Sequence, residues 1–161
     1  MAVGDTVAEA TGVNHFKLFL GTLYSLYSQS PKNKRELQVC AAEVGSEIMK
    51  IGKILDTRWV ASSFRTANAV WRSFPALCKH FHDASVDMSR DAKERSKYEG
   101  LKKKMSSPAF IADLGLMNDA LLKLEDLSEA LQRNDLSIVL AHKLIIRQTK
   151  IFQAMKETPG D

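Results

Sequence analysis

Apolar residues return every three or four positions along most of this chain, and that period limits its fold more than any other feature. Leu114, Met117, Leu121, Leu124, Leu127 and Leu131 form the longest such run. At about 100° per residue these six side chains fall on one face of a helix. Val13, Phe16, Leu18-Phe19-Leu20, Leu23-Tyr24 and Leu26-Tyr27 read as a helix with a broad apolar face, and Leu136, Val139, Leu140, Leu144, Ile145, Ile151, Phe152 and Met155 as a last helix. The run from Ile48 to Leu55 alternates enough for a short extended piece. Gly52 and the lack of a second such run predict that it joins no sheet. The expectation is an all-α bundle of about six helices, with no strand–helix alternation.

Local signals divide the helices. Ser28-Gln29-Ser30-Pro31 stops the first, and a second runs from about Lys32 to Val44, ending near Gly45. Asp56 or Thr57 is placed to cap a third, whose apolar positions are Val60, Phe64, Ala67, Trp71 and Phe74. Pro75 lacks an amide donor and predicts a kink or split there, before Leu77, Cys78 and Phe81. Residues 86–106 are charge-rich and end in Lys102-Lys103-Lys104, which predicts a largely solvated helix or connector. Ser107-Pro108 pairs a capping hydroxyl with a proline suited to the first helical turn. Asn134-Asp135 ends that helix, and the tail 158–161 reads as frayed. One domain over 1–161 is expected, with Arg-Trp-containing helices over 13–85, the connector over 86–106, and a C-terminal helical hairpin over 107–157.

Charge excludes little but is unevenly spread. Residues 1–105 hold 17 Lys and Arg against 11 Asp and Glu, whereas 106–161 hold 6 against 8. An anionic partner would meet the first two-thirds. Within it, Arg58, Arg65, Arg72 and Lys79 recur every seven residues. On one continuous helix they would share a narrow edge, about 10 Å apart, a spacing that can follow a phosphate backbone. Trp59 stands at the start of that edge, where an indole could stack on an unpaired base. A plain solvated face, with Trp59 packed on a neighbouring helix, fits the same residues.

Other chemistries find no pattern. Cys78, His80 and His82 lie close together, but a structural zinc site needs four ligands, and Cys40 has none beside it. Core positions for Cys78 and Phe81, with His80 exposed, are expected instead. No glycine-rich phosphate loop, Gly-x-Ser-x-Gly or His-Glu-x-x-His occurs. No enzyme activity, cofactor or small-molecule substrate is therefore expected. No stretch approaches the ~20 apolar residues of a membrane span. Two cysteines in apolar surroundings, with no secretory start, indicate free thiols in a reducing compartment, the nucleus or else the cytoplasm.

The segment Leu55-Asp56-Thr57-Arg58-Trp59-Val60-Ala61-Ser62, with Val70-Trp71 and Ala76-Leu77-Cys78-Lys79-His80-Phe81 downstream, resembles the hAT superfamily of DNA transposases and their vertebrate transposon-derived relatives. The likeness extends from about Val13 to the last helix and is most specific at Thr57-Arg58-Trp59. It implies the helical insertion of an RNase H-like catalytic domain. It also implies that Trp59 stacks on a base and Arg58 contacts a neighbouring phosphate of transposon-end DNA. The family's three metal-binding carboxylates, two aspartates before the insertion and one glutamate after it, match no residue here; Asp56 precedes the Arg-Trp pair and matches neither aspartate. The resemblance thus implies an isolated, catalytically inactive insertion domain that retains DNA affinity. The alternative is a protein-interaction or self-association module, docking through the leucine-rich final two helices.

Overall fold

The computed structural model describes the backbone of residues 2–157 and the side chains of 14–157 except Asp56; the tail expected to fray lies outside the described residues. Among these residues there are seven α-helices and no strand. They are α1 (Ala2–Ser28), α2 (Pro31–Val44), α3 (Trp59–Arg72), α4 (Phe74–Val86), α5 (Ala92–Met105), α6 (Pro108–Leu131) and α7 (Ile138–Glu157). A 3-10 turn, Asp56–Arg58, precedes α3.

The expected punctuation holds, for reasons of backbone chemistry. Ser30 accepts the Asn33 N–H at 3.2 Å with Pro31 at the head of α2. Gly45 closes that helix at φ 62, a left-handed turn that costs glycine little and lets Ser46 N–H reach Ala41 O at 3.0 Å. Ser107 accepts the Phe110 N–H at 3.1 Å with Pro108 behind it. Pro75 does split the helix: α3 ends at Arg72, and α4 restarts at Phe74 on a new axis. Arg58, not Asp56 or Thr57, takes the cap position of α3, and no side-chain bond caps it.

Of the two forms expected for residues 86–106, the structure shows the helix, and it is less solvated than expected. These residues contain α5, capped by Asp91, which accepts the Glu94 N–H at 2.7 Å. Tyr98, Leu101 and Met105, spaced three and four, are buried against α4. The helix count therefore exceeds the expected six. Lysines and glutamates on its outer side hide a narrow apolar stripe.

The core joins Leu20 and Leu23 of α1, Leu37 of α2, Ala67 and Val70 of α3, Leu77 and Phe81 of α4, Tyr98 and Met105 of α5, and Leu114 and Leu121 of α6. Phe110 meets Phe19 edge-on, ring centres 4.8 Å apart. Beside this apolar mass runs a buried polar chain. Tyr27 O–H lies 2.8 Å from His80 Nδ1, and His80 Nε2 lies 3.1 Å from Glu36. Because a carboxylate only accepts, Nε2 carries the imidazole proton and Nδ1 receives the tyrosine hydrogen. Arg90 pairs with Glu36 and Glu94 and covers the Tyr98 ring, while Tyr98 O–H donates to Asn33 at 2.9 Å. Asn33 in turn donates to Leu26 O at 3.2 Å. These bonds tie α1, α2, α4 and α5 together.

The expected apolar face of α3 is only partly its buried face. Ala67 is fully buried and Val60, Phe64 and Phe74 half-buried, but Trp71 is 44% exposed. Small and hydroxyl residues are buried in their place: Ser62, Ser63, Thr66, Ala69 and Ser73. The reason is segment 46–55, which runs alongside α3 in the opposite direction and exchanges hydrogen bonds with its hydroxyls. Ser73 Oγ accepts the Met49 N–H at 3.1 Å, and Thr66 Oγ1 lies 3.1 Å from Gly52 O. Ser62 Oγ accepts the Leu55 N–H at 2.9 Å. A backbone without sheet partners thus finds them on a helix.

Candidate interaction surfaces

Arg58, at the end of the 3-10 turn, and Arg65 and Arg72, on α3, are all exposed and form no ion pair among the described residues. Their seven-residue interval separates neighbours by about 10.5 Å along the axis. Lys79 does not extend this row. It sits on α4, beyond the break that Pro75 imposes, and pairs with Glu43 and Asp83, each at 2.8 Å. Hydrogen bonds to Asp83 and then Glu43 hold its ammonium above the ordinary lysine range.

Trp59 opens α3, half-buried and packed against the core with Ile54 and Phe64. On the helix it stands about 120–140° round from Arg65 and Arg72, and its half-buried indole packs on the core while still reaching the groove that Arg58 and Arg65 line. The freer indole is Trp71, next to Arg72, and sequence reasoning assigned it to the core. Its ring lies over Gly115 of α6, where a Cβ would come within 3.6 Å of the ring.

Thr57, Arg58, Trp59 and Arg65 line one wall of a groove of about 480 Å3, and Glu125, Ser128, Glu129 and Gln132 of α6 line the other. Burial, and then Glu129, push the Glu125 carboxyl above its usual range, against the pull of Arg65. The groove presents both signs of charge, and a phosphate entering it meets carboxylates as well as guanidinium groups.

A second surface lies at the C-terminal end. Among the described residues α7 packs on α6 alone and has no buried residue. Ala141, Leu144, Gln148, Ile151, Phe152 and Met155 are half-covered or partly exposed on its inner side. Ile138, Val139, Leu140, Ile145 and Ile146 face solvent, Ile138 at 86% exposure. Lys143, Arg147 and Lys150 form an exposed cationic edge beside them, again with no ion pair among the described residues. The seven-residue step from Lys143 to Lys150 was legible in the chain but was not singled out.

His80 is a correction: it is 2% exposed, not a surface residue. Burial holds its pKa below the ordinary imidazole value, opposed by the hydrogen bond to Glu36. Cys78 is half-buried and His82 exposed, and the described residues contain no group of side chains placed to hold a metal ion. Cys40 and Cys78 are free thiols. Cys40 lies 3.8 Å from Asp83, and burial followed by that carboxylate pushes its thiol up to about 11, which suppresses the nucleophilic thiolate.

Among the described residues, fold and surfaces together define an all-helical bundle whose outward features are a row of arginines along α3 and its preceding turn, and a set of exposed aliphatic side chains on its last helix. No protein-family model matches the chain, and no solved structure matches it. No helix among the described residues is long and apolar enough to cross a membrane.

Proposed function

We propose that this chain is a non-enzymatic interaction module whose working surface is the outer face of α6 and α7. One observation carries this reading: α7 holds five large exposed aliphatic side chains and buries none of its residues. Exposed apolar residues scattered singly need no explanation, but a run along one helix is the usual mark of a docking site. Burying each such side chain is worth about 1.5–3 kcal/mol, so a partner helix laid along this face gains several such increments. A photo-reactive amino acid at Ile145 tests the reading in cells, with discrete protein adducts as the expected result. No adduct, together with unfolding of an Ile138→Glu, Ile145→Glu variant, would show that the face is internal and sink the idea.

A second reading rests on the unpaired arginine row. Here the chain is a catalytically inactive transposase-derived domain that still holds DNA through Arg58, Arg65 and Arg72, and it acts in the nucleus. The resemblance at Thr57-Arg58-Trp59 supports it, and Glu125 and Glu129 across the groove oppose it. Fluorescence anisotropy with hairpin and single-stranded DNA provides the test. Three phosphate contacts give affinity that falls with salt at a log–log slope of about −2 to −3. Binding that ignores salt, or survives Arg65→Ala with Arg72→Ala, removes this reading.

A further inference from the structure

The two helices of the C-terminal hairpin carry opposite charge. α6 holds Asp113, Asp119, Glu125, Asp126 and Glu129 against Lys123, and α7 holds Lys143, Arg147, Lys150 and Lys156 against Glu157. Yet no ion pair joins the two helices among the described residues. Asp119 and Asp126 are exposed on α6, as are Lys143 and Lys150 on α7, and both pairs are seven residues apart. Each pair therefore spans about 10.5 Å, and each repeats on one edge of its helix. Among the described residues these matching edges go unused.

Resting on the docking role proposed for this face, we infer that the partner is a second copy of this chain, the two hairpins packing about a twofold axis as a four-helix bundle. A twofold interface uses the same surface on both molecules, so α7 of each copy meets α6 of the other. The cationic edge of one α7 lies on the acidic edge of the other α6, and the complementary contact forms twice. α7 against α7 would instead bring like charges together, so the charges select the crossed arrangement. The exposed Ile138, Val139, Leu140, Ile145 and Ile146 of α7, with Leu116 and Leu131 of α6, supply the apolar area. A face about 30 Å long and two helices wide buries on the order of 1,200 Å2 in total, the lower end of stable interfaces.

Sedimentation equilibrium of the full chain over a wide concentration range tests this. The expected result is a reversible monomer–dimer equilibrium that weakens with salt. Lys143→Glu with Lys150→Glu should raise the dimer Kd at least about tenfold, and Asp119→Lys with Asp126→Lys should do the same. Mixing the two variants should restore dimers, because the two reversed edges then meet each other and the two native edges meet each other. A wild-type chain that stays monomeric overturns the inference, as does a dimer indifferent to both reversals or a mixture that fails to associate. Binding of an apolar fluorescent dye separates the two levels of the argument. A monomer that binds dye, and loses it in Ile138→Glu with Ile145→Glu, overturns the second copy as occupant and leaves the docking face standing. A monomer that binds none overturns both.

Discussion

Single residues decide this bundle's sensitivity to acid and to polar substitution. His80 is held neutral by burial, so its folded pKa lies below the value near 6.5 that it regains on unfolding. Its contribution is therefore intact above about pH 6.5 and is lost as pH falls through the folded pKa, at up to ~1.4 kcal/mol per pH unit. Thermal unfolding from neutral to mildly acid pH should show this loss. His80→Gln should flatten the part that belongs to His80, leaving the part due to carboxylates. Arg90, 4% exposed, depends on Glu36 and Glu94 for compensation. Glu36→Ala removes one of those partners and a bond to His80, and is expected to cost about 1–3 kcal/mol in denaturant unfolding. Neither effect could be read from the chain. His80 is flanked by Lys79 and Phe81, and only the approach of Tyr27 and Glu36 from other helices makes its site dry and satisfied.

Elements contribute unequally to the fold. α5 is charged along most of its length, but Met105→Ala should cost about 2–5 kcal/mol, as expected for a fully buried side chain and not for a connector. Urea unfolding measures this directly; a cost below about 0.5 kcal/mol would return residues 86–106 to the surface. In the seam between α6 and α7, Gln148 Nε2 is buried without a hydrogen-bond partner. Replacing Gln148 with Leu removes an unmet donor while keeping similar volume, and should raise stability by about 1 kcal/mol. α3 shows how a helix can bury hydroxyls. Ser62, Thr66 and Ser73 share the side that meets residues 46–55, and each bonds a main-chain group there. Their spacing of four and seven is visible in the chain, but a serine–threonine stripe ordinarily means solvent, and no local rule says that an extended segment will cover it.

For the molecule as a whole, the core ends at α6. Because α7 buries no residue, ending the chain after Ser137 should leave a cooperative transition whose Tm moves by less than about 3 °C. Calorimetry checks it, and a large drop in Tm would place α7 within the folding unit. The same asymmetry separates the two functional readings. Arg65 and Arg72 belong to a helix the core needs, whereas the exposed aliphatic side chains of α7 are covered by nothing among the described residues.

By itself the sequence determined the all-helical class and most helix boundaries. Those depend on neighbours within a few residues: Ser30-Pro31, Gly45, Pro75 and Ser107-Pro108 act through backbone donors and dihedral angles that adjacent residues set. It also exposed the seven-residue spacing of Arg58, Arg65 and Arg72. Tertiary structure alone decided which side of each helix is dry. That choice turned Trp59 inward and left Trp71 half in solvent, put Lys79 between two carboxylates on another axis, and brought His80 and Arg90 inside. Burial is a property of what packs against a face, and the packing partners lie tens of residues away.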